Sequence, residues 1–457
     1  MSTLKTSFLA GAARVKTTPP LGTRINGDFI THYATYIHDD LYAKALALRS
    51  GETTVVLVMV DICVMPKEFV DGAKALITSR TGIPHTHLLV ASTHTHAAGS
   101  VADVHLGSID PAYEKMLPGR IAAAVDAALE NLRPARIAFG SLMAPEHVLC
   151  RRYAMKPGYT PLNPVTGGVD KVKTNPFGGE AYIDDGIATT DPELGYLAVQ
   201  GVDGRWISML GNYSLHYVGD WENGTISADY FGYFSERLRE QLGAGDDFVG
   251  MMSNGTSGDV NIWDFLDSER YPKAHFEKSQ FIGHDLADRL VDSLKVLEWQ
   301  SEPALEAVFE LLSCEVVKPS QEELDAAAKV IATARFETIE YHAEGLKQIY
   351  AREQLLLHEM PATRECPAQA IRIGNGVIGG LGGEFFSETG LYLKSQARID
   401  NYFTITMANG NAGYVPPAHE VELGGYESWR CRYSCLAAGS EAVIREALLQ
   451  MVMRLAY

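Results

Sequence analysis

Two rhythms of apolar residues alternate along the chain. Some runs are continuous or period-two, others recur every three to four residues, and turn-forming residues separate them. Phe8 to Val15 reads as a first short strand, broken by the prolines of Thr17 to Gly22, which block both helix and ladder hydrogen bonds. Asp40–Arg49 and Thr53–Cys63 read as paired strands joined across Ser50-Gly51-Glu52. The second is apolar without interruption from Val55 to Val60, as a strand buried on both faces is. It ends in Asp61, which is either a turn cap or part of a polar site. Helical spacing over Lys67–Thr81 stops at Gly82, and the apolar run Leu88 to Ala91 follows. Strand, helix and strand in that order imply a parallel pair, which sets Asp61 and His94 at one sheet edge.

Tyr113–Leu132 has helical spacing and Ala135–Ser141 reads as a strand. From Cys150 to about Asp191 the chain is rich in Gly, Pro, Asn and Asp, the composition of a long irregular section. Gly195–Val202 and Trp206–Ser214 form a hairpin around Asp203-Gly204, and the second strand runs on into His216. Thr225 to Tyr230 leads into a helix over Phe231–Leu242. The strand Phe248–Met252 then opens into the loop Ser253–Asn261, whose glycines let backbone approach a ligand. His275–Val296 is an amphipathic helix, and Ser320-Gln-Glu-Glu323 is a capping box that opens an interrupted helical stretch to about Met360. After a hairpin over Ala370–Ile378, Gly379-Gly-Leu-Gly-Gly-Glu384 delivers a carboxylate to the start of a helix over Phe385–Gln396, where the dipole favours an anion. Tyr402–Met407 is a strand and Ser440–Leu455 a closing helix. Neither an internal repeat nor a linker is visible. The expected architecture is a single α/β domain over residues 1–457, a mixed and largely buried sheet flanked by helices, with a helical excursion at about 315–360.

Composition narrows the partners. Apolar residues make up 46% of the chain and charged residues 21%, enough for a large core. A net charge of −18, from 57 acidic against 39 basic side chains, argues against nucleic acid or an anionic membrane surface as the main partner. No apolar run approaches the ~18 residues of a membrane span, and Met1 to Arg14 lacks the apolar core of an export signal. The six cysteines are scattered and read as reduced thiols; Cys431 and Cys435 lack a second pair at zinc-finger spacing. The expectation is a cytoplasmic protein with a small-molecule partner, self-association into a homo-oligomer being left open.

The chemistry concentrates at strand ends. His94 and His96 lie two apart, so an extended chain points both to one side, beyond the carboxyl end of a buried strand where α/β sheets hold ligands. They are a metal site or two hydrogen-bonded histidines in a turn. With His216 and Glu384, histidines or carboxylates stand at three strand or loop ends. A hydrolytic Zn²⁺ needs a few nitrogen and oxygen ligands and one open position, and it brings the titration of its water near neutrality. Arg151 and Arg152 are a close basic pair beside the long loop, either solvated surface or an anchor for a carbonyl or carboxylate.

The ordered set Ser92-Thr-His94-Thr-His96, Leu215-His216, Ile226-Ser-Ala-Asp229, Gly258-Asp-Val260, Gly383-Glu384-Phe385, and Gly413-Tyr414-Val415 with Tyr426 twelve residues on, resembles the neutral/alkaline ceramidase family of zinc amidases. The resemblance runs across nearly the whole chain. It implies zinc on His94, His216, Glu384 and Tyr414, with His96 a neighbour that holds substrate or moves protons as general acid and base. Arg151 and Tyr426 match positions that line the reaction centre. Two departures stand out. Where the family carries a Ser in Gly-Asp-Val-Ser-Pro-Asn, this chain has Asn261, which cannot attack a carbonyl but can donate a hydrogen bond to an oxyanion. The family's secreted members continue into a C-terminal β-sandwich, and the expectation here is the catalytic domain without one. The resemblance therefore implies a zinc-dependent amide hydrolase acting on a soluble, non-ceramide molecule. The alternatives are hydrolysis of an ester, lactone or carbamate, or an inactive ligand-binding homologue.

Overall fold

The computed structural model describes residues 8–340 and 343–456. In its first third, β1 (Leu9–Lys16), β2 (Tyr42–Ser50) and β3 (Thr53–Val60) are followed by α1 (Lys67–Thr81), β4 (Leu88–Ser92) and α2 (Pro111–Glu130). The next third repeats that order: β5 (Arg133–Met143), β6 (Glu193–Gly201), β7 (Trp206–Tyr213), α3 (Asp229–Gln241), β8 (Val249–Asn254) and α4 (Glu277–Ser293). All eight strands share one sheet in the order β8-β7-β6-β5-β1-β2-β3-β4, which reads as the same half twice from its middle. Its outermost pairs, β3 with β4 and β7 with β8, are parallel, and the rest are antiparallel. This duplication leaves no repeat in the sequence. It lives in the topology, because a strand needs only the right alternation of apolar residues and not a particular sequence.

Period-two alternation decides which face each residue lines. Ala43, Ala45 and Ala47 of β2 and Val56, Val58 and Val60 of β3 pack against α1 and α2, while α3 and α4 cover the corresponding face of the second half through Phe231, Phe234, Ile282 and Leu286. The other faces meet: Leu46, Leu57 and Leu89 share a core with Ile137, Leu197 and Met251. β1 and β5 pair only at their starts, Leu9 with Pro134 and Ala10 with Arg133. From that corner the halves run side by side, and β8 packs against β3 and β4. The carboxyl ends of both parallel pairs thus come out together.

Into the same core comes a second sheet. It is built from β9 (Leu305–Glu315), β10 (Thr363–Ile373), β11 (Gly376–Leu381) and β12 (Tyr402–Ile405), in that order. Ile371, Ile378 and Ile405 face the large sheet, while Ala370, Val377 and Leu381 face the helices α7 (Ser387–Ala397) and α8 (Ser440–Ala456). β9 was not expected from the sequence: Glu306 and Glu310 leave its apolar alternation weak, and most of its residues stay half-exposed or exposed. The helical excursion is α5 (Gln321–Ile331) and α6 (Ala343–Glu359), and α5 carries the capping box foreseen at Ser320 and Glu323. Another correction concerns Glu384. The helix behind it starts at Ser387, so Glu384 and Phe385 form a two-residue strand instead of a first helical turn. The carboxylate at that helix start belongs to Asp259, which accepts from the Ser387 N–H at 2.8 Å and its hydroxyl at 3.0 Å. The section after Cys150 carries three short strands, Arg152–Met155, Val172–Thr174 and Ile183–Gly186, that form their own small sheet.

Candidate metal centre

His94 lies two residues past β4 and His216 three past β7, at the carboxyl ends of the two parallel pairs. His94 sits at φ 79°, in the left-handed region that a side chain other than glycine's rarely adopts. Its N–H donates to the Ile62 carbonyl at 2.9 Å, which pins the strained turn to the end of β3. The two imidazoles face each other, Nε2 to Nε2, at 3.2 Å. Behind each ring a carbonyl fixes the tautomer: His94 Nδ1 bonds Cys63 O at 2.9 Å and His216 Nδ1 bonds Ser257 O at 3.2 Å. Both Nε2 lone pairs are thereby turned inward.

Glu384 arrives from the second sheet. The strand Glu384–Phe385 pairs in parallel with Tyr414–Val415, Glu384 directly beside Tyr414, so both side chains project from one face. Glu384 Oε2 stands 3.6 Å from His94 Nε2 and 3.9 Å from His216 Nε2. It is buried and, among the described residues, has no hydrogen-bond donor. Tetrahedral ligands about 2.05 Å from a zinc ion lie roughly 3.3 Å apart. The observed spacings are of that size, and two inward lone pairs beside an orphaned carboxylate oxygen are costly without a cation. The residues fit a small divalent metal, and the ligand atoms of His94, His216 and Glu384 all lie within 4.8 Å of one another.

His96 sits to one side. Its Nε2 is 3.1 Å from His94 Nε2, and its ring lies flat on Tyr217 at 3.5 Å. It groups with His94 and Cys63 and not with Glu384. Burial pushes the pKa values of His94, His96 and His216 down, the last two well below the ordinary histidine value; the neighbouring His94 and Arg151 add to this. All three are therefore neutral bases near pH 7. Tyr414 and Tyr426 go the other way: burial first, then the Glu384 charge, hold both phenols protonated well above pH 10. Their rings meet edge to face at 5.5 Å.

Arg151 and Arg152 prove to be anchors and not solvated surface. The Arg151 guanidinium lies 5.3 Å over the Tyr414 ring, with Nη1 3.5 Å from His216 Nε2 and Nη2 on the Gly258 carbonyl. Glu427 holds both arginines, taking Arg151 Nε and Arg152 Nη1 at 2.7 Å each, while Glu420 takes Arg152 at 2.8 Å. Sequence reading missed Glu427, although it follows Tyr426 directly. Asn261 does not join the histidines: its amide donates to Asn175 Oδ1 and accepts from the Trp263 N–H at 2.9 Å. Asp61 is structural, bonded to the Tyr42 N–H at 2.9 Å and facing Lys44 at 3.5 Å. A cavity of about 200 Å³ reaches the cluster at His96, between Asn26, Asp28 and His32 on one side and Tyr217, Trp221 and Asn223 on the other.

Fold and site together define a mixed α/β domain that gathers two histidines and a carboxylate at the carboxyl ends of duplicated parallel strand pairs. Among solved structures, the chain is similar to a neutral ceramidase from Pseudomonas aeruginosa, with a TM-score of 0.70 and 14% identity over 98% of this chain and 74% of that one. It is likewise similar to a ceramidase complexed with C2, at TM-score 0.71 and 15% identity over 98% and 75%. At that identity the likeness is one of fold. No family model and no curated protein matches the sequence.

Proposed function

We propose that the chain is a zinc-dependent hydrolase that cleaves the amide bond of a small, soluble molecule. The observation that carries this reading is the Glu384 oxygen, buried without a donor between two inward-facing imidazole nitrogens. His94, His216 and Glu384 would hold the zinc, with Tyr414 beside Glu384 as the fourth ligand. Bound there, Zn²⁺ supplies a polarised carbonyl and a water acidic enough to attack near neutral pH.

The chain's own groups do the rest. His96, neutral and fixed against Tyr217, accepts a proton at Nε2 and returns it to the leaving nitrogen. Arg151, locked by Glu427 beside His216, keeps a positive charge where the tetrahedral oxyanion forms, with the Tyr426 hydroxyl as a further donor. Such a donor contributes about 3–4 kcal/mol. Asn261 is occupied with Asn175 and Trp263, which fits attack by water and leaves no place for a side-chain nucleophile at that position.

The cavity supports a small substrate. About 200 Å³ is below the roughly 300–1,000 Å³ of drug-sized sites, and its polar walls suit a short polar amide better than a lipid chain. The six cysteines are free, as a reducing cytoplasm leaves them. Zinc content and hydrolysis of short N-acyl amides, measured on wild type, His94→Ala and Glu384→Ala, test the reading. Both variants should lose metal and turnover together, and full turnover in metal-free protein would overturn it.

A further inference from the structure

The stretch Ser227-Ala228-Asp229 is tied by hydrogen bonds to both histidine-bearing loops. Toward the first half, the Thr95 hydroxyl donates to the Ser227 carbonyl at 2.6 Å, and the Ser227 N–H donates to the Ala97 carbonyl at 3.0 Å. Those two bonds bracket His96. Toward the second half, Asp229 Oδ2 accepts from the N–H groups of Val218 at 2.8 Å and Gly219 at 3.3 Å. That grip falls just after His216 and Tyr217. Asp229 Oδ1 accepts from the Tyr230 N–H at 2.5 Å, and the Asp229 N–H donates to the Ser227 hydroxyl at 3.1 Å.

The conformation is costly. Asp229 is fully buried and sits at φ 58°, in the left-handed region that residues other than glycine rarely adopt. Glycine would take that φ freely, so an aspartate here points to a task for the carboxylate. Binding two successive backbone N–H groups of the other loop is such a task. Asp39 braces the stretch from outside, accepting from the Ala228 N–H at 3.0 Å.

We propose that Ser227–Asp229 is a strut that sets the spacing of the two histidine loops, with Asp229 as a positioning residue for His216 and, through Tyr217, for His96. The inference rests on the metal reading only for what the histidines hold. Its lever is mechanical: without the carboxylate, the His216–Gly219 loop loses two bonds that fix the ring Nε2 against His94, and Tyr217 loses its support under His96.

Asp229→Gly separates strain from grip, because it relieves the backbone and removes the carboxylate. Asp229→Asn keeps an acceptor, and asparagine tolerates the left-handed region. Zinc affinity of the full chain, by competition with a chelator, should fall about 10- to 100-fold in Asp229→Gly and less in Asp229→Asn, the range seen when support behind a ligand is removed. The absorption bands of the cobalt-loaded protein should shift in the same order. In metal-free protein, NMR signals of the His94, His96 and His216 rings should move in Asp229→Gly and stay close to wild type in Asp229→Asn. Thr95→Val, which deletes the bond to the Ser227 carbonyl together with the weaker one the hydroxyl accepts from the Ala97 N–H at 3.3 Å, should give a smaller change of the same sign and stands in should Asp229→Gly fail to fold. Wild-type affinity, cobalt spectrum and ring signals in Asp229→Gly would overturn the strut. Should wild type bind no zinc at all, the metal reading falls, and the metal-free ring signals still decide the strut.

Discussion

Replacing Glu427 by glutamine tests how the site holds a fixed positive charge. Its carboxylate is wholly buried and takes Arg151 Nε, Arg152 Nη1 and the Thr174 hydroxyl, each at 2.7 Å. With Glu420, the group of two guanidiniums and two carboxylates sums to zero charge. Glutamine keeps the shape and one acceptor but leaves one positive charge uncompensated among side chains that are at most 8% exposed. Each lost pair is worth about 4 kcal/mol at an effective dielectric of 20. The carboxylate's own desolvation is relieved, so the net cost should be about 3–5 kcal/mol, as for other broken buried pairs. Urea unfolding at pH 7, followed by circular dichroism, reads it. Glu420→Gln, which weakens the hold on Arg152 but leaves Arg151 paired with Glu427, should cost less. Zinc content should hold while turnover falls about 10-fold or more, because Arg151 loses its bearing on the oxyanion. The acid limb gives an independent reading. Burial pushes the Glu427 carboxyl up, but Arg151 and Arg152 more than offset this and hold it below the ordinary 4.5. A depressed carboxylate stabilises the fold above its unfolded pKa, and that stabilisation is lost as pH falls through the folded value. Wild type should therefore lose stability more steeply below about pH 4.5 than Glu427→Gln does. A variant within 1 kcal/mol of wild type, or an identical acid limb, would refute the reasoning.

The remaining predictions concern metal, pH and the asparagine. Metal-free Glu384→Gln should be more stable than metal-free wild type by about 1–3 kcal/mol, because a buried carboxylate oxygen that no donor meets among the described residues is removed; zinc should reverse the order, since binding adds stability to wild type only. Thermal melts with and without chelator read both. Lys74 is buried on α1, its Nζ without a hydrogen-bond partner among the described residues and 5.0 Å over the Phe309 ring, and burial brings its pKa from 10.5 down to about 7. Between those values the unfolded chain binds the extra proton, so stability should rise as pH climbs from 7 to 10. Lys74→Met should be more stable than wild type at pH 7 and flat across that window, which urea titrations at pH 7 and 9.5 would show. Asn261→Ser should leave kcat/KM within about threefold, because the Asn261 amide is spent on Asn175 and Trp263. A rise of more than tenfold would place that position against substrate.

Most of the site was legible because its members stand where hydrophobic runs stop. Val55–Val60, Leu88–Ala91 and Trp206–Ser214 were recognisable as strands from their apolar content, and their ends led to His94 and His216. Glu384 was visible through the glycines before it. Its local structure was not, since pairing of Glu384–Phe385 with Tyr414–Val415 joins segments some 30 residues apart and leaves no periodic trace. Arg151, Arg152 and Glu427 were illegible as a unit for the same reason: an ion pair spanning 276 residues has no local signature. β9 escaped because a strand on the outside of a second sheet needs little apolar alternation, and Glu306, Glu310 and Glu315 gave it none to read.

The duplicated topology explains why two imidazoles meet head to head. In the first half, the loop after β3 reaches Cys63 and the loop after β4 carries His94; Cys63 O orients His94 Nδ1. In the second half, the loop after β7 carries His216 and the loop after β8 supplies Ser257 O to its Nδ1. Cys63 and His216 both stand three residues beyond the end of the first strand of their parallel pair, at Val60 and Tyr213. Each half thus makes its own imidazole–carbonyl couple from the same two loops, with the roles exchanged. The exchange brings the rings to the seam between the halves, 3.2 Å apart, where neither half alone could close a ligand sphere. The third ligand has to come from elsewhere, and the second sheet delivers Glu384 into that gap. A metal at this point would be bonded to all three parts of the fold, so its removal should loosen the packing of the second sheet on the first. Hydrogen exchange measured with and without chelator should show the added exposure at β11 and at Glu384–Phe385, while α2, packed on the outer face of β2 and β3, should keep its protection.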